Sequence, residues 1–357
     1  MRKFTEILLE DFDYQLPPEL IAYYPLPQRD QSRMLVLDRK SGSCEIRKFK
    51  EIPEFFQKGD CVVRNNSKVI KARIFASPLT APEKKTEFLM VEPSDPTKKI
   101  WTVLTKPHRN LKKFKEFLAI TPQNKKLPPL KIEVLTNSPE TKIKFISEGE
   151  NLQILLDEYG HIPLPPYIKR PDERLDTERY QTVYAKNDGS IASPTAGLHF
   201  TNEIFERISK KGVNIAELTL HVGIGTFRPI KTNNVSEHKI HSEYFSISES
   251  EAQKINFAKE KGNKIIAIGT TTIRALESAL GDDAKIHPFS GKTNIFIYPP
   301  YEIKSADILF TNFHLPKSTL FLLVCAFAGK EKIMNAYNLA IKEKFRFYSY
   351  GDCMLIK

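Results

Sequence analysis

The hydrophobic positions along the chain form short clusters that predict alternating strands and helices. Met34–Leu37 and Cys61–Val63 are apolar runs bounded by charged residues or a Gly-Asp pair, which is typical of buried strands. Beyond residue 150, stretches with helical spacing alternate with apolar runs, so an α/β core is predicted. The predicted helices there are Leu152–Tyr159, Asn202–Lys211, Glu249–Lys261, Ile273–Leu280, Ser318–Ala328 and Glu331–Lys344; the predicted strands are Asn214–His221, Lys264–Ile268, Asn294–Tyr298, Asp307–Thr311 and Phe345–Ile356.

Between residues 78 and 147 the pattern changes to strand-like runs alone. These runs are separated by Pro and Asn turns, at the spacing of a small antiparallel sheet or barrel. They are Thr86–Val91, Ile100–Thr105, Glu116–Ile120, Leu130–Leu135 and Lys142–Ile146. We therefore predict an α/β core of residues 1–67 and 151–357, with a mixed, barrel-like sheet and flanking helices. Residues 68–150 are predicted to be an inserted all-β, barrel-like domain.

Charge adds a candidate partner to this picture. The chain has 357 residues, with 54 Lys and Arg against 43 Asp and Glu, and residues 84–144 alone carry a net charge of +8 out of the total of +11. Such an excess is compatible with RNA, DNA or an anionic membrane as a partner, and equally with a merely solvated basic face. If the insert binds RNA, Lys112, Lys113 and Lys115 are the residues expected to contact it.

Cysteine content and hydropathy favour a cytoplasmic location. Four scattered cysteines make no disulfide framework and no C-x-x-C pair, as expected of a reducing compartment. The N-terminal residues do not have the pattern of a signal peptide. The longest apolar run, Leu320–Ala328, is far shorter than the roughly 20 residues that span a bilayer. We expect a cytoplasmic monomer without membrane contact or an obligate protein partner.

Two stretches combine flexible backbone with histidine. Pro194–His199 precedes a helix that Thr201 caps, and small residues there let a ligand approach the backbone. His221 ends a strand and is followed by a Gly-x-Gly, Gly223 and Gly225. The third glycine of a Rossmann fingerprint is missing, and Pro229 stops the helix that the fingerprint requires. A tight loop with an ordinary histidine remains an alternative for the first stretch.

Two further stretches place polar groups at strand ends. Ile268–Arg274 brings a buried strand, a glycine turn and three threonines to a helix start, a suitable arrangement for a carboxylate, phosphate or ribose. Thr311–Thr319 contains Asn312, His314 and Lys317, but no P-loop glycines precede it. The sequence has no H-E-x-x-H, G-x-S-x-G or EF-hand pattern, so no metal site is predicted.

Several motifs, in order over nearly the whole chain, resemble the S-adenosylmethionine:tRNA ribosyltransferase-isomerases of queuosine biosynthesis. The four stretches above match, and so do further segments. These are Asp11–Tyr14, Gln28–Asp30, Pro163–Ile168, Glu178–Ala185, Ile295–Pro299 and Arg346–Asp352. The chain departs from the family where Lys292 replaces a usual Trp, which removes a candidate stacking contact. Residues 78–150 match weakly.

The resemblance implies transfer and isomerisation of the ribosyl part of S-adenosylmethionine onto the aminomethyl group of preQ1 at the tRNA wobble position. Epoxyqueuosine-tRNA forms, with adenine and methionine released; S-adenosylmethionine is a co-substrate, and no metal is implied. Proton transfer is expected from His199 and His221 because their imidazoles titrate near neutral pH. Cofactor contacts are expected from Gly223, Gly225, Thr270, Thr271, Thr272 and Arg274, and substrate contacts from Thr195, Arg228, Asn312, His314 and Lys317.

Two other functions stay open on the sequence alone. One is a non-catalytic RNA-binding protein that has kept the fold. The other is a small-molecule S-adenosylmethionine lyase, which would leave the basic insert unexplained. Adenine release that depends on substrate tRNA distinguishes all three.

Overall fold

A computed structural model describes residues 6–122, 126–147, 151–223, 225 and 230–357. These residues form two compact units. The first unit contains the described residues up to Lys68, together with Pro166–Arg170 and Glu178–Lys357. The second contains the described residues of Val69–Pro165, together with Pro171–Thr177.

Strands and helices alternate as the hydrophobic pattern predicts. In chain order the strands are β1 Arg33–Leu37, β2 Cys44–Lys48, β3 Cys61–Asn65, β4 Ser67–Val69, β5 Arg73–Pro78, β6 Thr86–Pro93, β7 Ile100–Lys106, β8 Glu116–Ala119, β9 Lys131–Asn137, β10 Thr141–Ile146, β11 Asn187–Ser190, β12 Asn214–Leu220, β13 Glu243–Ile247, β14 Ile265–Ile268, β15 Phe289–Thr293, β16 Ile308–Asn312 and β17 Cys353–Ile356. The helices are α1 Leu152–Tyr159, α2 Arg174–Arg179, α3 Asn202–Lys210, α4 Glu249–Glu260, α5 Thr270–Ala279, α6 Thr319–Ala328 and α7 Lys330–Lys342.

The first unit is built on a nine-stranded mixed sheet. Its strand order is β15-β13-β12-β3-β14-β16-β17-β1-β2. β12, β3, β14 and β16 are parallel to one another, so their carboxyl ends meet at one end of the sheet. β17 pairs antiparallel with β16, and β13 pairs antiparallel with β12. In open α/β sheets this end is where ligands bind, so it is the first place to look for a site.

The sheet separates two hydrophobic cores. Successive residues of a strand face opposite sides, and the central strands are apolar on both. Cys61 and Val63 of β3 pack into the core made with α4, α5, α6 and α7, which we call the four-helix face. Val62 packs into the core made with α3, together with Phe49 and Phe200, which we call the α3 face.

The second unit contains a closed six-stranded antiparallel barrel in the order β10-β7-β6-β5-β8-β9. Alternate residues fill its interior, among them Phe88, Trp101 and Phe117, each at most 6% exposed. The five predicted strands of this region are confirmed, and none of their ends shifts by more than two residues. Closure leaves the barrel without open strand edges.

The structure differs from the sequence analysis in the closure of the core sheet, in the position of one strand and in the extent of the second unit, and the predicted strand Phe345–Ile356 is reduced to β17. The core sheet is open rather than barrel-like: among the described residues its pairing ends at β15 and β2, whose polar side chains suit exposed edges. The predicted strand Asn294–Tyr298 is instead β15, Phe289–Thr293, which pairs with β13. The second unit continues beyond residue 150 to Pro165, because Tyr159 Oη donates to Pro128 O at 2.9 Å and His161 pairs with Arg73.

Candidate active site at the carboxyl ends of the central strands

The four stretches singled out in the sequence reach the same end of the sheet. Gly269 follows β14 with a φ of 91°, a backbone conformation that favours glycine, and its N–H donates to Phe310 O of β16 at 2.8 Å. The side chain of Ala196, from the Pro194–His199 stretch, lies 3.5 Å from the position of a Cβ at Gly269. Their side chains nevertheless divide between the two faces of the sheet.

His199 lies in the core of the α3 face and is 4% exposed. Both ring nitrogens are engaged: Nδ1 is 2.7 Å from Ser32 Oγ, and Nε2 is 3.0 Å from Asn312 Nδ2. With the amide oriented so that Nδ2 donates, Nε2 accepts and Nδ1–H donates to the serine. Burial, with smaller effects of Arg29 and Arg346, lowers the pKa of His199 to about 3. The imidazole is therefore neutral, and both of its nitrogens have hydrogen-bond partners within the protein.

His221 lies directly after β12 and is half-buried. Its Nδ1 is 2.7 Å from Ser67 Oγ, which in turn is 2.6 Å from Ser190 Oγ, and the N–H of Val222 donates to that second hydroxyl at 2.9 Å. Gly189 packs so closely that a Cβ there would lie 2.8 Å from the ring. The hydroxyl pair and the glycine together fix the position of an imidazole that solvent still reaches.

Asn65, at the end of β3, connects His221 to the start of α5. Its Nδ2 donates to Leu220 O at 2.9 Å and to Thr271 Oγ1 at 3.3 Å, and its Oδ1 accepts from the N–H of Ser67 at 3.1 Å. A continuous chain of hydrogen bonds thus runs from α5 to Ser67 and on to the imidazole. It crosses the end of the sheet at the point where ligands of α/β proteins bind.

The three threonines of the α5 start have different surroundings. Thr272 is fully buried, and its hydroxyl donates to Ile268 O at 2.6 Å, so it stabilises the helix start. Thr271 accepts from Asn65 as described, and Thr270 is 5% exposed. The amide N–H groups of the first turn remain the feature that favours a negative group here.

Arg274 lies one turn further along α5, on the four-helix face, and is 4% exposed. Its Nη1 forms a buried ion pair with Glu243, and its Nε donates to Ile295 O at 3.3 Å. The other oxygen of Glu243 accepts from the N–H of Gly223 at 2.8 Å. The pair borders a small cavity of about 10 Å³, which we call the Arg274 pocket. It is lined by Gly225, Ile240, His241, Glu243, Arg274, Phe296, Ile297, Thr319, Leu320 and Leu323.

Two predicted substrate residues, His314 and Lys317, make contacts within the protein. His314 is buried; its Nε2 is 2.8 Å from Thr311 Oγ1, and burial lowers its pKa to about 3. The N–H of the same residue donates to Tyr337 Oη at 3.0 Å. Lys317 pairs with Asp13 at 2.7 Å. The His314 imidazole is therefore neutral and bonded within the protein, and its expected substrate contact stays a prediction.

Thr195 begins the 3-10 helix Thr195–His199 and is half-buried. Asn312 is 2% exposed, and its Oδ1 has no hydrogen-bond partner among the described residues. Arg228 lies outside the described residues. The three lysines expected to bind RNA, Lys112, Lys113 and Lys115, are exposed in the second unit, after β7 and before β8.

Comparison with known proteins decides the family. A model of the queuosine biosynthesis protein family matches residues 9–356. A relative from Natranaerobius thermophilus, named S-adenosylmethionine:tRNA ribosyltransferase-isomerase, is 49% identical over 98% of this chain and 99% of its own. The chain belongs to the queuosine biosynthesis protein family. A relative of the same name from a Sulfurihydrogenibium species is 47% identical over 98% of this chain and 99% of its own.

The fold of this chain is similar to that of a solved structure. It is the crystal structure of an S-adenosylmethionine tRNA ribosyltransferase from Thermotoga maritima, 36% identical, covering 97% of this chain and 100% of that chain, with a TM-score of 0.55. Within the part of the chain that the structure describes, no helix has the length and hydrophobicity needed to cross a membrane. Likewise, no group of three or more His, Cys, Asp or Glu side chains in that part is arranged to hold a metal ion.

Sequence reasoning missed two residues of this family member's site. Glu243 begins β13, where Phe245 and Ile247 follow at alternate positions and point into the four-helix core. A carboxylate in phase with core residues signals a buried charge, which needs a partner. Asn65 is in phase with Val63 in the same way. In both cases, a polar residue at a core-facing position of the strand pattern was the sequence signal that could have identified the residue.

Proposed function

We propose that this chain is an S-adenosylmethionine:tRNA ribosyltransferase-isomerase. It transfers the ribosyl moiety of S-adenosylmethionine to the aminomethyl group of preQ1 at the tRNA wobble position and isomerises it, giving epoxyqueuosine-tRNA, adenine and methionine. The observation that carries this function is the similarity over nearly the full length to relatives named for it, at 46% to 49% identity. A soluble tRNA-modifying enzyme of this kind acts in the cytoplasm.

The residues at the carboxyl ends of the strands fit S-adenosylmethionine as a co-substrate. Its sulfonium makes the attached ribose carbon electrophilic, and it also carries a carboxylate, an ammonium and ribose hydroxyls. The start of α5 offers amide N–H groups, and Arg274 offers a guanidinium. Side chains pack against both glycines of the loop after β12: a Cβ at Gly223 would lie 3.6 Å from Glu243, and one at Gly225 would lie 3.1 Å from His241. No metal is required by this set of contacts.

His221 is the residue to which we assign proton transfer. The aminomethyl group of preQ1 is an ammonium near pH 7 and has to lose a proton before its nitrogen can attack. A base for this step needs access to the substrate and a pKa near neutrality. His221 is half-buried and held by Ser67, whereas His199 is enclosed and has a pKa of about 3. We therefore assign His199 a positioning role, through its contact with Asn312.

The basic second unit is assigned to tRNA. Lys112, Lys113 and Lys115 are exposed, and residues 84–144 carry a net charge of +8. Phosphate contacts from such lysines supply sequence-independent affinity, which falls steeply with salt concentration. This assignment leaves recognition of the modified base to the first unit.

The decisive experiment measures release of adenine from S-adenosylmethionine by the purified protein. We expect release only with tRNA that carries preQ1, together with equimolar methionine. Release without tRNA would show a small-molecule lyase instead. Binding of tRNA without any release would show a non-catalytic RNA-binding protein.

The assignment of the base is tested with two single variants under the same conditions. His221→Gln is expected to lower kcat by roughly 10²–10⁴ with little change in S-adenosylmethionine affinity. His199→Gln is expected to reduce stability, and to leave the pH dependence of kcat in its folded fraction unchanged. Normal turnover by the His221 variant would show that the base lies elsewhere.

A further inference from the structure

The strand register of the second unit brings three connections to the same end of its barrel. β5 ends where β6 and β8 begin, and β7 ends opposite the start of β6. β9 pairs with β8 and ends where β10 begins, with Asn137 opposite Thr141. The connections β5–β6, β7–β8 and β9–β10, which are residues 79–85, 107–115 and 138–140, therefore lie together.

These three connections concentrate positive charge. They contain six Lys or Arg residues, all exposed, and two acidic residues, Glu83 and Glu140. We call the six cations the basic end; they are Lys84, Lys85, Arg109, Lys112, Lys113 and Lys115. Among the described residues, the acidic group within reach of this set is Glu83, whose Oε1 lies 4.0 Å from Lys84 Nζ. An exposed pair at that distance stabilises a protein little, so the cations of the basic end are poorly compensated.

The rest of the barrel surface is more evenly balanced in charge. Strands β5 to β10 carry five basic and four acidic residues, and Arg73 of β5 forms an ion pair with Glu87 of β6 at 2.9 Å. Lys144 of β10 lies opposite Glu133 of β9. In the β6–β7 and β8–β9 connections at the opposite end, the described charged residues are Lys98, Lys99, Lys126 and Asp95. The excess charge of the unit is therefore largest at the basic end.

Packing holds the basic end together. In the β7–β8 connection the side chains of Asn110 and Leu111 are buried, while the cations on either side are exposed. Asn110 Nδ2 donates to Thr86 Oγ1, at the start of β6, at 2.8 Å. Leu111 O accepts from Asn137 Nδ2, at the end of β9, at 3.4 Å. Because these bonds tie the connection to its neighbours, the cations stay close and repel one another, and a polyanion relieves that repulsion.

We propose that the basic end binds the phosphate backbone of tRNA, and that the strands and the opposite end of the barrel do not. This inference rests on the proposed function, and it narrows the assignment of the whole second unit to one surface. Five of the six cations are lysines, which bind phosphate as compact point charges without the bidentate geometry of arginine. Contacts of this kind position a nucleic acid and carry no sequence information.

The first test compares three variants of the full-length protein that each lose three positive charges from the same barrel. The basic-end variant is Lys84→Gln/Lys85→Gln/Arg109→Gln, the strand variant is Lys131→Gln/Lys142→Gln/Lys144→Gln, and the opposite-end variant is Lys98→Gln/Lys99→Gln/Lys126→Gln. The affinity for tRNA is measured at salt concentrations from about 0.05 to 0.3 M.

The basic-end variant should bind tRNA at least about tenfold more weakly at 0.1 M salt, and the slope of log K against log salt concentration should become shallower by about 2 to 3. The strand and opposite-end variants should stay within about threefold of the parent protein. Equal losses in all three variants would indicate a general charge effect and would overturn the proposal. Parental affinity in the basic-end variant would also overturn it.

The second test separates charge from packing and from base recognition. Lys84→Arg/Lys85→Arg/Arg109→Lys retains all three cations and should bind tRNA as the parent protein does; a loss as large as that of the basic-end variant would contradict a role of charge. Since phosphate contacts carry no sequence information, the basic-end variant should lose the same factor for tRNA with and without preQ1. A loss confined to preQ1-tRNA would show that this surface reads the base, against the proposal.

The outcomes also separate the surface from the proposed function. If the parent protein releases adenine with preQ1-tRNA but the basic-end variant keeps its tRNA affinity, only the surface assignment fails. If tRNA binding depends on the basic end as expected but no tRNA supports adenine release, the proposed function fails and the surface assignment stands. Binding of phosphatidylserine-containing vesicles that the basic-end variant loses, with unchanged tRNA affinity, would assign the surface to a membrane instead.

Discussion

Two buried neutral histidines should make the stability of this protein depend strongly on pH. The structure lowers the pKa of His199 and of His314 to about 3, in both cases chiefly through burial, from 6.5 in an unfolded chain. Between pH 6.5 and 3 the unfolded chain therefore binds protons that the folded protein excludes. The free energy of unfolding is fully retained above pH 7 and falls as the pH decreases through this window.

The expected loss follows from the two pKa values. Each histidine contributes up to about 1.4 kcal/mol per pH unit below 6.5. Lowering the pH from 7 to 5 should therefore cost about 2 kcal/mol for each histidine, and about 4 kcal/mol for the two. This range keeps most carboxylates ionised, so acid titration of Asp and Glu adds little.

Urea denaturation at pH 7 and pH 5 measures this difference. His199→Asn and His314→Asn should each be less stable than the parent at pH 7, yet each should lose about 2 kcal/mol less on going to pH 5. The control His108→Gln removes an exposed imidazole of the second unit and should keep the parent's pH dependence. Equal unfolding free energies of the parent at both pH values would refute the reasoning, as would variants that retain the full dependence.

Two further predictions test the setting of the base and the role of the second unit. Gly189→Ala places a Cβ 2.8 Å from the His221 ring and should lower kcat roughly 10- to 100-fold, whereas Gly262→Ala, also at positive φ but with no atom within 4 Å, should not. Replacing Lys112, Lys113 and Lys115 with Gln should weaken tRNA binding and reduce its salt dependence, without changing S-adenosylmethionine affinity. The charge-matched control replaces three exposed lysines of the first unit: Lys50, Lys58 and Lys210.

Each of these two predictions has a contradicting outcome. A Gly189→Ala variant with normal kcat would show that the ring position is not critical. Identical losses of tRNA affinity in both lysine triples would indicate a general charge effect, and no loss in either would favour a solvated basic face.

Hydrophobic periodicity predicted most elements because local pattern determines them. α1 has the predicted limits, and α3 and α4 each end one residue earlier. The cap of α3 was also predicted: Thr201 Oγ1 accepts from the N–H of Ile204 at 3.3 Å. α5 begins three residues before its predicted start, because Gly269 rather than a threonine occupies the cap position.

Three features of the fold depend on pairing between residues far apart in sequence, and hydrophobic periodicity therefore could not predict them: the position of β15, the closure of the core sheet and the partner of a buried charge. β15 was misplaced because the more apolar run Ile295–Ile297 resembles a strand, whereas pairing with β13 selects Phe289–Thr293. Whether the core sheet closes is likewise a matter of pairing order. The partners of a buried charge, such as Arg274 with Glu243, are 31 residues apart and follow only from the fold.

Residue type alone does not distinguish the two candidate histidines, His199 and His221. In the sequence both follow small or apolar residues near a strand end or helix start, and only the pKa of an unperturbed imidazole, about 6.5, is available for either. The difference arises from packing: Phe49 and Phe310 lie 5.6 Å and 5.8 Å from the His199 ring and exclude water, whereas His221 stacks on the partly exposed Tyr244 at 5.9 Å. Since desolvation penalises only the charged form, the first environment removes the proton-accepting ability that makes histidine useful as a base. A histidine that is neutral under all working conditions can still orient an amide, and for His199 that amide is Asn312.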